Sequence, residues 1–169
     1  ALGIAYRDAA GVGDTAGLAP ELERLAGLLA ELMPREAEVY GLLALVSLVR
    51  SREAARVDAT GTMVPLSQQD VALWDRARIE VGRAALDRAN ALAKPGPVQV
   101  LAAIHLTHAM RCETGRTDWR AILRLYDGLL QFRSNRVVAI NRAVAIGRAK
   151  SPCDGLAALE ELDSENLAG

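Results

Sequence analysis

Two histidines and one cysteine follow one another at steps of three and four residues: His105, His108 and Cys112. On a helix this spacing places them on one side, where imidazole and thiolate could bind zinc or form a nucleophilic Cys–His pair. A structural zinc site needs four ligands, however, and the sequence offers no second cluster. The surrounding segment is apolar almost all round, which predicts a buried helix without substrate access. We therefore interpret these residues as core and expect no metal, no cofactor and no catalytic residue.

Other catalytic patterns are missing from the sequence. It contains no glycine-rich phosphate loop and no serine nucleophile elbow. Carboxylates such as Glu160 and Glu161 lie in solvated helical patterns, which are typical of surface charge. We expect a protein that is not an enzyme.

The composition predicts an all-α fold to position these residues. Of the 169 residues, 31 are alanine and 25 are leucine, both strong helix formers, and only 4% are aromatic. A formal net charge of −1 argues against a broad nucleic-acid-binding surface. Two cysteines, no secretory signal and no stretch of membrane-spanning length predict a soluble protein of the cytoplasm.

The hydrophobic pattern predicts one helical domain over residues 18–163, after a linker or short helix at 1–17 and before a tail at 164–169. Leucines at three- and four-residue steps give the first helix one apolar face, and Pro34 ends it. The next helix is expected to continue toward Arg56. The later predicted helices cover residues 98–110, 117–132, 137–148 and 152–162.

Residues 57–66 interrupt the helices, and Thr62–Val64 could form a short extended piece. Ser67, with Asp70 three residues later, resembles a capping box and predicts a helix running to Ala93. Two apolar stripes along that helix predict neighbours on two sides.

The sequence also contains an internal repeat. Residues 33–46 (MPREAEVYGLLALV) superimpose without gaps on residues 132–145 (FRSNRVVAINRAVA), with Ala44 on Ala143. Each copy follows a leucine-rich helix, which is typical of helical-hairpin repeats. We predict antiparallel helical hairpins stacked as a tetratricopeptide-like bundle.

A cluster of polar residues and tryptophan surrounds the central break. It has two interpretations: helix caps, ion pairs and tryptophan anchors of the stack, which we favour, or a recognition surface rich in Trp and Arg. The candidate interaction surface consists of Arg56, Asp58, Gln69, Asp70, Trp74, Asp75 and Arg76.

Several segments occur in one order over about residues 22–162: GLLALVSL, EAARVDATG, LSQQDVALWDRARI, KPGPVQVLAAI, TDW, LYD and NRAVA. This series resembles the C-terminal extension of a group of extracytoplasmic-function (ECF) RNA polymerase sigma factors. In that group a tetratricopeptide-like domain follows the two sigma regions. Residues 1–20 match the group poorly, and the sigma regions are absent from this sequence.

The resemblance implies a regulatory domain that tunes transcription initiation through contacts with the sigma regions of the same protein or with RNA polymerase. The sigma regions are expected before Ala1, and promoter DNA would be contacted only through them. The candidate interaction surface would face these regions. A stand-alone helical-repeat adaptor that binds a peptide or protein is the alternative.

Overall fold

The computed structural model describes residues 18–132 and 135–167, and the predicted linker at 1–17 lies outside them. The described chain is all-helical, as predicted, and its β structure is limited to one isolated bridge. The α-helices are α1 (Leu18–Leu32), α2 (Ala37–Arg50), α3 (Arg76–Ala91), α4 (Pro97–Ala109), α5 (Arg111–Thr114), α6 (Trp119–Phe132), α7 (Arg136–Ala149) and α8 (Pro152–Leu167). None of these helices combines the length and hydropathy needed to cross a bilayer.

The helices stack as antiparallel hairpins. Helix α2 packs against α1, α3 and α4, while α7 packs against α6 and α8. Helix α4 lies between the two ends of the stack, because it contacts α2 and α3 on one side and α6 on the other. One apolar cluster joins α2, α3 and α4, and another joins α4, α6 and α7. The predicted tetratricopeptide-like bundle is confirmed.

The internal repeat forms two units of the structure, α1–α3 and α6–α8. The alignment of the two copies places Ala37 on Arg136 and Arg50 on Ala149, which are the first and last residues of α2 and α7. The aligned Ala44 and Ala143 are both buried, at 0% and 1% exposure. The two copies therefore share helix boundaries as well as register.

A glycine of the next helix lies against that alanine in each unit. A Cβ atom at Gly82 of α3 would lie 3.2 Å from the carbonyl oxygen of Ala44. A Cβ atom at Gly155 of α8 would lie 3.0 Å from the carbonyl oxygen of Ala143. The closest atom to that Cβ would be Cγ of Leu48, at 2.6 Å, for Gly82 and Cα of Gly147, at 2.8 Å, for Gly155, so a side chain at either position would force its neighbour to shift.

The predicted start of α3 is wrong. Ser67 and Asp70 do not open it, because Asp70 instead caps a short 3-10 helix at Val71–Leu73. The chain then passes through Trp74 in an extended conformation, and Asp75 caps α3. An aspartate can accept from a free amide two or three residues later at the start of a 3-10 helix or of an α-helix. The sequence pattern alone therefore did not show which aspartate, Asp70 or Asp75, begins α3.

Other expectations had mixed outcomes. Pro34 follows the end of α1, and Pro97 begins α4, both as predicted. Helix α2 ends at Arg50 and is followed by a 3-10 turn rather than continuing toward Arg56. Helix α8 extends to Leu167, beyond the predicted end at Leu162 and into the expected tail. The buried residues of α3 form a single stripe, and Val81, which belongs to one of the two stripes expected from the sequence, is exposed.

Candidate interaction surface

The candidate surface is built on residues 51–75, the loop between α2 and α3. The amide of Asp75 donates to the carbonyl oxygen of Ser51 over 2.7 Å, which brings the two ends of the loop together. Within the loop, the antiparallel bridge pairs Val57 with Met63, so the extended piece predicted there is confirmed at this position.

Asp58 orders the turn at the tip of this loop. Its Oδ1 atom accepts hydrogen bonds from the amides of Thr60 and Thr62, at 2.8 and 3.0 Å, and from the hydroxyl of Thr60 at 2.6 Å. These donors, the Thr60 hydroxyl first, lower the pKa of Asp58 below its ordinary value. Asp58 therefore presents a fixed negative charge at an exposed position.

Trp74 anchors the other end of the loop in the core. Its side chain is 4% exposed and packs in a cluster with Leu48, Ile79 and Ala109. The guanidinium group of Arg111 lies 4.9 Å from the centre of its ring, within the range of a cation–π contact.

Arg111 is a residue that the sequence analysis missed. Its guanidinium donates to the carbonyl oxygens of Leu66, Ser67 and Gln69, at 3.0, 3.2 and 2.6 Å. This one side chain of α5 therefore fixes the loop to the body of the stack. An arginine that binds backbone carbonyls leaves no spacing pattern, so the sequence carried no signal for it.

Three polar residues of the candidate surface lie at the end of the loop and the start of α3. Asp70 accepts from the amide of Ala72 at 2.9 Å, and Asp75 accepts from the amide of Arg78 at 3.0 Å. The Arg78 amide, followed by the charge of its guanidinium, lowers the pKa of Asp75 against the opposing effect of burial. Arg76 donates to the carbonyl oxygen of Cys112 over 3.5 Å.

The seven predicted surface residues separate by exposure. Asp58, Asp70 and Arg76 are exposed, and Arg56 and Asp75 are half-buried. Gln69 and Trp74 are buried, because their side chains hold the loop against the stack. The structure thus gives capping and anchoring roles to part of the set, and the exposed members keep the role of a contact surface as a prediction.

The three residues first considered as a chemical cluster have separate environments. His105 accepts a hydrogen bond at Nδ1 from Arg52 over 2.9 Å, while the ring of His108 packs edge-on against Trp119 with centroids 5.3 Å apart. Cys112 packs against the cluster that contains Trp74. Over residues 18–132 and 135–167, no three His, Cys, Asp or Glu side chains are arranged to hold a metal ion.

Both histidines are neutral near pH 7. Burial, and then the positive charge of Arg52, lowers the pKa of His105 well below its ordinary value. Burial, with the charges of Arg52 and Arg111, lowers the pKa of His108 to about 4. Protonation of either ring would place a second positive charge beside an arginine inside the stack.

Helix α1 presents a second candidate surface, which we call the leucine face. The helix packs on α2 with Ala26 and Ala30 buried, and most of its leucines, except the half-buried Leu22, are exposed. Leu18 and Leu32 are 60% and 69% exposed, and the residues between them on this face are also exposed. The leucine face consists of Leu18, Leu25, Leu28, Leu29, Leu32 and Met33.

The chain matches a family of unknown function (DUF6596) over residues 6–90, about half of its length. It belongs to this family. Uncharacterized protein R00370 of Rhizobium meliloti (strain 1021) is 42% identical over 157 residues, covering 93% of this chain and 37% of that protein. The chain therefore spans little more than a third of the length of this relative. No solved structure matches the chain.

The DUF6596 match covers both candidate surfaces. Residues 6–90 include α1 with its leucine face, α2, the loop at 51–75 and nearly all of α3. Arg111, which fixes the loop, lies outside the family match but within the region shared with the Rhizobium relative, since the alignment covers most of the chain.

Proposed function

We propose that this chain is the C-terminal regulatory domain of an ECF-type RNA polymerase sigma factor. It modulates promoter-directed initiation in the cytoplasm by contacts with the sigma regions or with polymerase, and it has no catalytic step of its own. Promoter DNA is bound only by the sigma regions. The observation that carries this proposal is the leucine face of α1.

The leucine face is large for a surface that meets only water. Full burial of an exposed leucine side chain contributes roughly 1.5–3 kcal/mol. The side chains of the leucine face are 39–69% exposed, so covering each contributes about half of that value, and covering all six supports a contact between domains. Helix α1 is also the first described helix, and the resemblance places the sigma regions before it in the sequence. The greater length of the Rhizobium relative supports the presence of further domains.

The exposed charges of the loop supply a second, polar contact. Asp58 and Asp70 carry negative charge, and Arg76 carries positive charge, all at exposed positions. Charged groups at the rim of an interface set its orientation and its rate of formation more than its affinity. The buried Trp74 and Gln69 keep the loop in place for this contact.

The test is transcription in vitro by the full-length protein with core polymerase. Leu25→Glu with Leu29→Glu is expected to change transcript yield about tenfold, because charge on the leucine face prevents docking. Asp70→Asn with Arg76→Gln is expected to change it less. Val81→Glu with Leu156→Glu, at exposed positions of α3 and α8, is the matched control for two added carboxylates.

Folded leucine-face variants that transcribe like the wild type would contradict the docking contact. Unfolding of the Asp70 and Arg76 variants would leave those residues with structural roles alone. A reading frame without sigma regions before Ala1 would contradict the proposal as a whole.

A helical-repeat adaptor is the second candidate. The exposed apolar residues Val137, Ile140 and Val144 on one face of α7 favour it, since a partner helix could pack there. The complete reading frame separates the two candidates, because an adaptor needs neither a polymerase-binding helix pair nor a basic helix-turn-helix.

A further inference from the structure

The leucines of α1 follow the spacing of a coiled-coil seam. Five of them are separated by four, three, four and three residues in turn, so they occupy the a and d positions of a heptad pattern. These seam residues are Leu18, Leu22, Leu25, Leu29 and Leu32. Leu22 is half-buried, and the other four are exposed and belong to the leucine face. A narrow a and d seam is typical of a helix that pairs with one other helix.

The contacts of α1 with the stack use another side of the helix. Ala26 and Ala30, which are 1% and 6% exposed, are its buried residues. The carboxylate of Glu23, on the same side, accepts from Arg50 of α2 and, over 3.4 Å, from Arg78 of α3. Ion pairs to two different helices fix the rotation of α1 about its axis, so the seam stays exposed among the described residues.

The positions that flank the seam carry little charge. They are the e and g positions of the heptad pattern, where like charges oppose the pairing of identical helices. They hold Ala19, Glu21, Ala26, Leu28 and Met33. The carboxylate of Glu21 forms an ion pair with Arg24 over 2.6 Å. A leucine seam with its one flanking charge compensated is complementary to itself, as an interface between two identical copies requires.

The area of the leucine face indicates how strong such a pairing is. Its side chains are 39–69% exposed, so their full coverage removes roughly 1,000 Å² from water across two copies, which is close to the lower limit for a specific interface. Interfaces of this size form weak and transient complexes, so a pair of this kind is reversible.

We propose that the leucine face pairs with the leucine face of a second copy of this chain, α1 against α1. The pairing covers the surface to which the proposed function assigns the sigma regions, so a paired copy cannot dock them. This regulatory consequence rests on the proposed function, whereas the pairing itself rests on α1 alone.

Sedimentation velocity on the full chain tests the pairing. We expect a monomer at about 1 µM and mainly a dimer at about 500 µM, with a Kd on the order of 50 µM for an interface of this size. Leu25→Glu with Leu29→Glu should weaken association at least about tenfold, because like charges then meet across the seam. Leu25→Lys with Leu29→Lys should do the same for the same reason.

Mixing the glutamate and lysine variants should restore association, because each glutamate then faces a lysine whether the two helices run parallel or antiparallel. Val81→Glu with Leu156→Glu adds two carboxylates at exposed positions of α3 and α8 and should leave the Kd unchanged. Circular dichroism checks that each variant is folded.

A wild-type chain that stays monomeric at every concentration would overturn the pairing. A dimer that persists in the folded glutamate variant, or a mixture of the two variants that fails to associate, would overturn α1 as its interface. Failure of the proposed function appears in a different measurement, since transcription would then be unchanged by the leucine-face variants.

Discussion

Helices α2 and α7 occupy equivalent positions in the two units, but another helix covers α2 on a face that stays exposed in α7. On α2, Leu45 is buried in the cluster that includes Ala102 of α4. The aligned residue of α7, Val144, is 48% exposed. The difference shows that α4 is the element that closes the first unit, and that the described part of the second unit ends before an equivalent helix.

The contrast is sharpest at two aligned pairs. Glu38 of α2 accepts hydrogen bonds from the amides of Val98 and Gln99 at the start of α4, over 3.0 and 3.1 Å, whereas α7 has Val137 at that position. Gly41 lets the backbone of α4 approach, whereas α7 has Ile140. The two copies of the repeat thus form the same helix, and a few side-chain differences decide whether another helix packs on it.

The largest expected effect is acid destabilisation of the covered unit, because both histidines of the chain lie on α4. The pKa of His108 is about 4 in the folded protein against 6.5 when exposed, so the unfolded state binds more protons below pH 6.5. Stability present above that pH is lost as the pH falls toward 4. Between pH 7 and pH 5 the loss from His108 is about 2 kcal/mol, and His105 adds to it in the same direction.

Urea unfolding at pH 7 and pH 5 measures this loss, with His108→Gln as the comparison. The variant should lose less stability on acidification than the wild type. An equal loss of stability in the wild type and in His108→Gln would show that carboxylates, and not His108 of α4, cause the acid destabilisation.

The second prediction exchanges the aligned residues Gly41 and Ile140. A Cβ atom at position 41 would lie 2.9 Å from the backbone nitrogen of Gln99, so Gly41→Ile should lower the free energy of unfolding by about 2 kcal/mol. The reverse change, Ile140→Gly, meets no covering helix and should cost only about 1 kcal/mol in helix propensity. Thermal unfolding followed by circular dichroism gives both values. A smaller cost at Gly41 than at Ile140 would contradict the close packing of α4.

The third prediction concerns Glu38 and its aligned residue Val137. Glu38→Ala removes the acceptor of two amides at the first turn of α4 and should cost about 1–2 kcal/mol. Val137→Ala changes an exposed side chain and should stay within about 0.5 kcal/mol. Equal urea midpoints for these two variants would show that Glu38 does not cap the covering helix.

The smallest expected effect lies in the two turns that bracket α4 and α5. Ala93 has a φ of 52° and Gly115 a φ of 71°, both left-handed. Ala93→Gly should raise the free energy of unfolding by about 0.5 kcal/mol, and Gly115→Ala should lower it by about 1 kcal/mol. Differential scanning calorimetry can resolve shifts of this size. Opposite signs would mean that contacts, rather than the backbone, set the stability of these turns.

The sequence predicted the parts of the fold that follow from periodicity and from proline. The aligned copies gave the register of α2 and α7, and Pro97 gave the start of α4. It did not predict the start of α3, since Asp70 and Asp75 have the same capping chemistry and only tertiary contacts decide between them.

The candidate sites divide in the same way. The cluster of polar residues around the loop was predicted from residue type and position, but its division into buried and exposed members depends on where Trp74 enters the core. The role of Arg111 depends on contacts between segments far apart in the chain, which no local pattern records. The leucine face was visible as a stripe, although the stripe did not show which side of α1 would pack.

The hydrogen bond between Ser51 and Asp75 has a consequence for how the domain can be altered. In the second unit, Lys150 and Ser151 alone join α7 to α8, and they perform the task for which the first unit uses residues 51–75. The hydrogen bond between Ser51 and Asp75 holds the two ends of the longer loop as close together as the ends of a tight turn. The longer loop is therefore an insertion at the tip of one hairpin. Lengthening this loop at its tip would therefore leave the ends of α2 and α3 at the same separation.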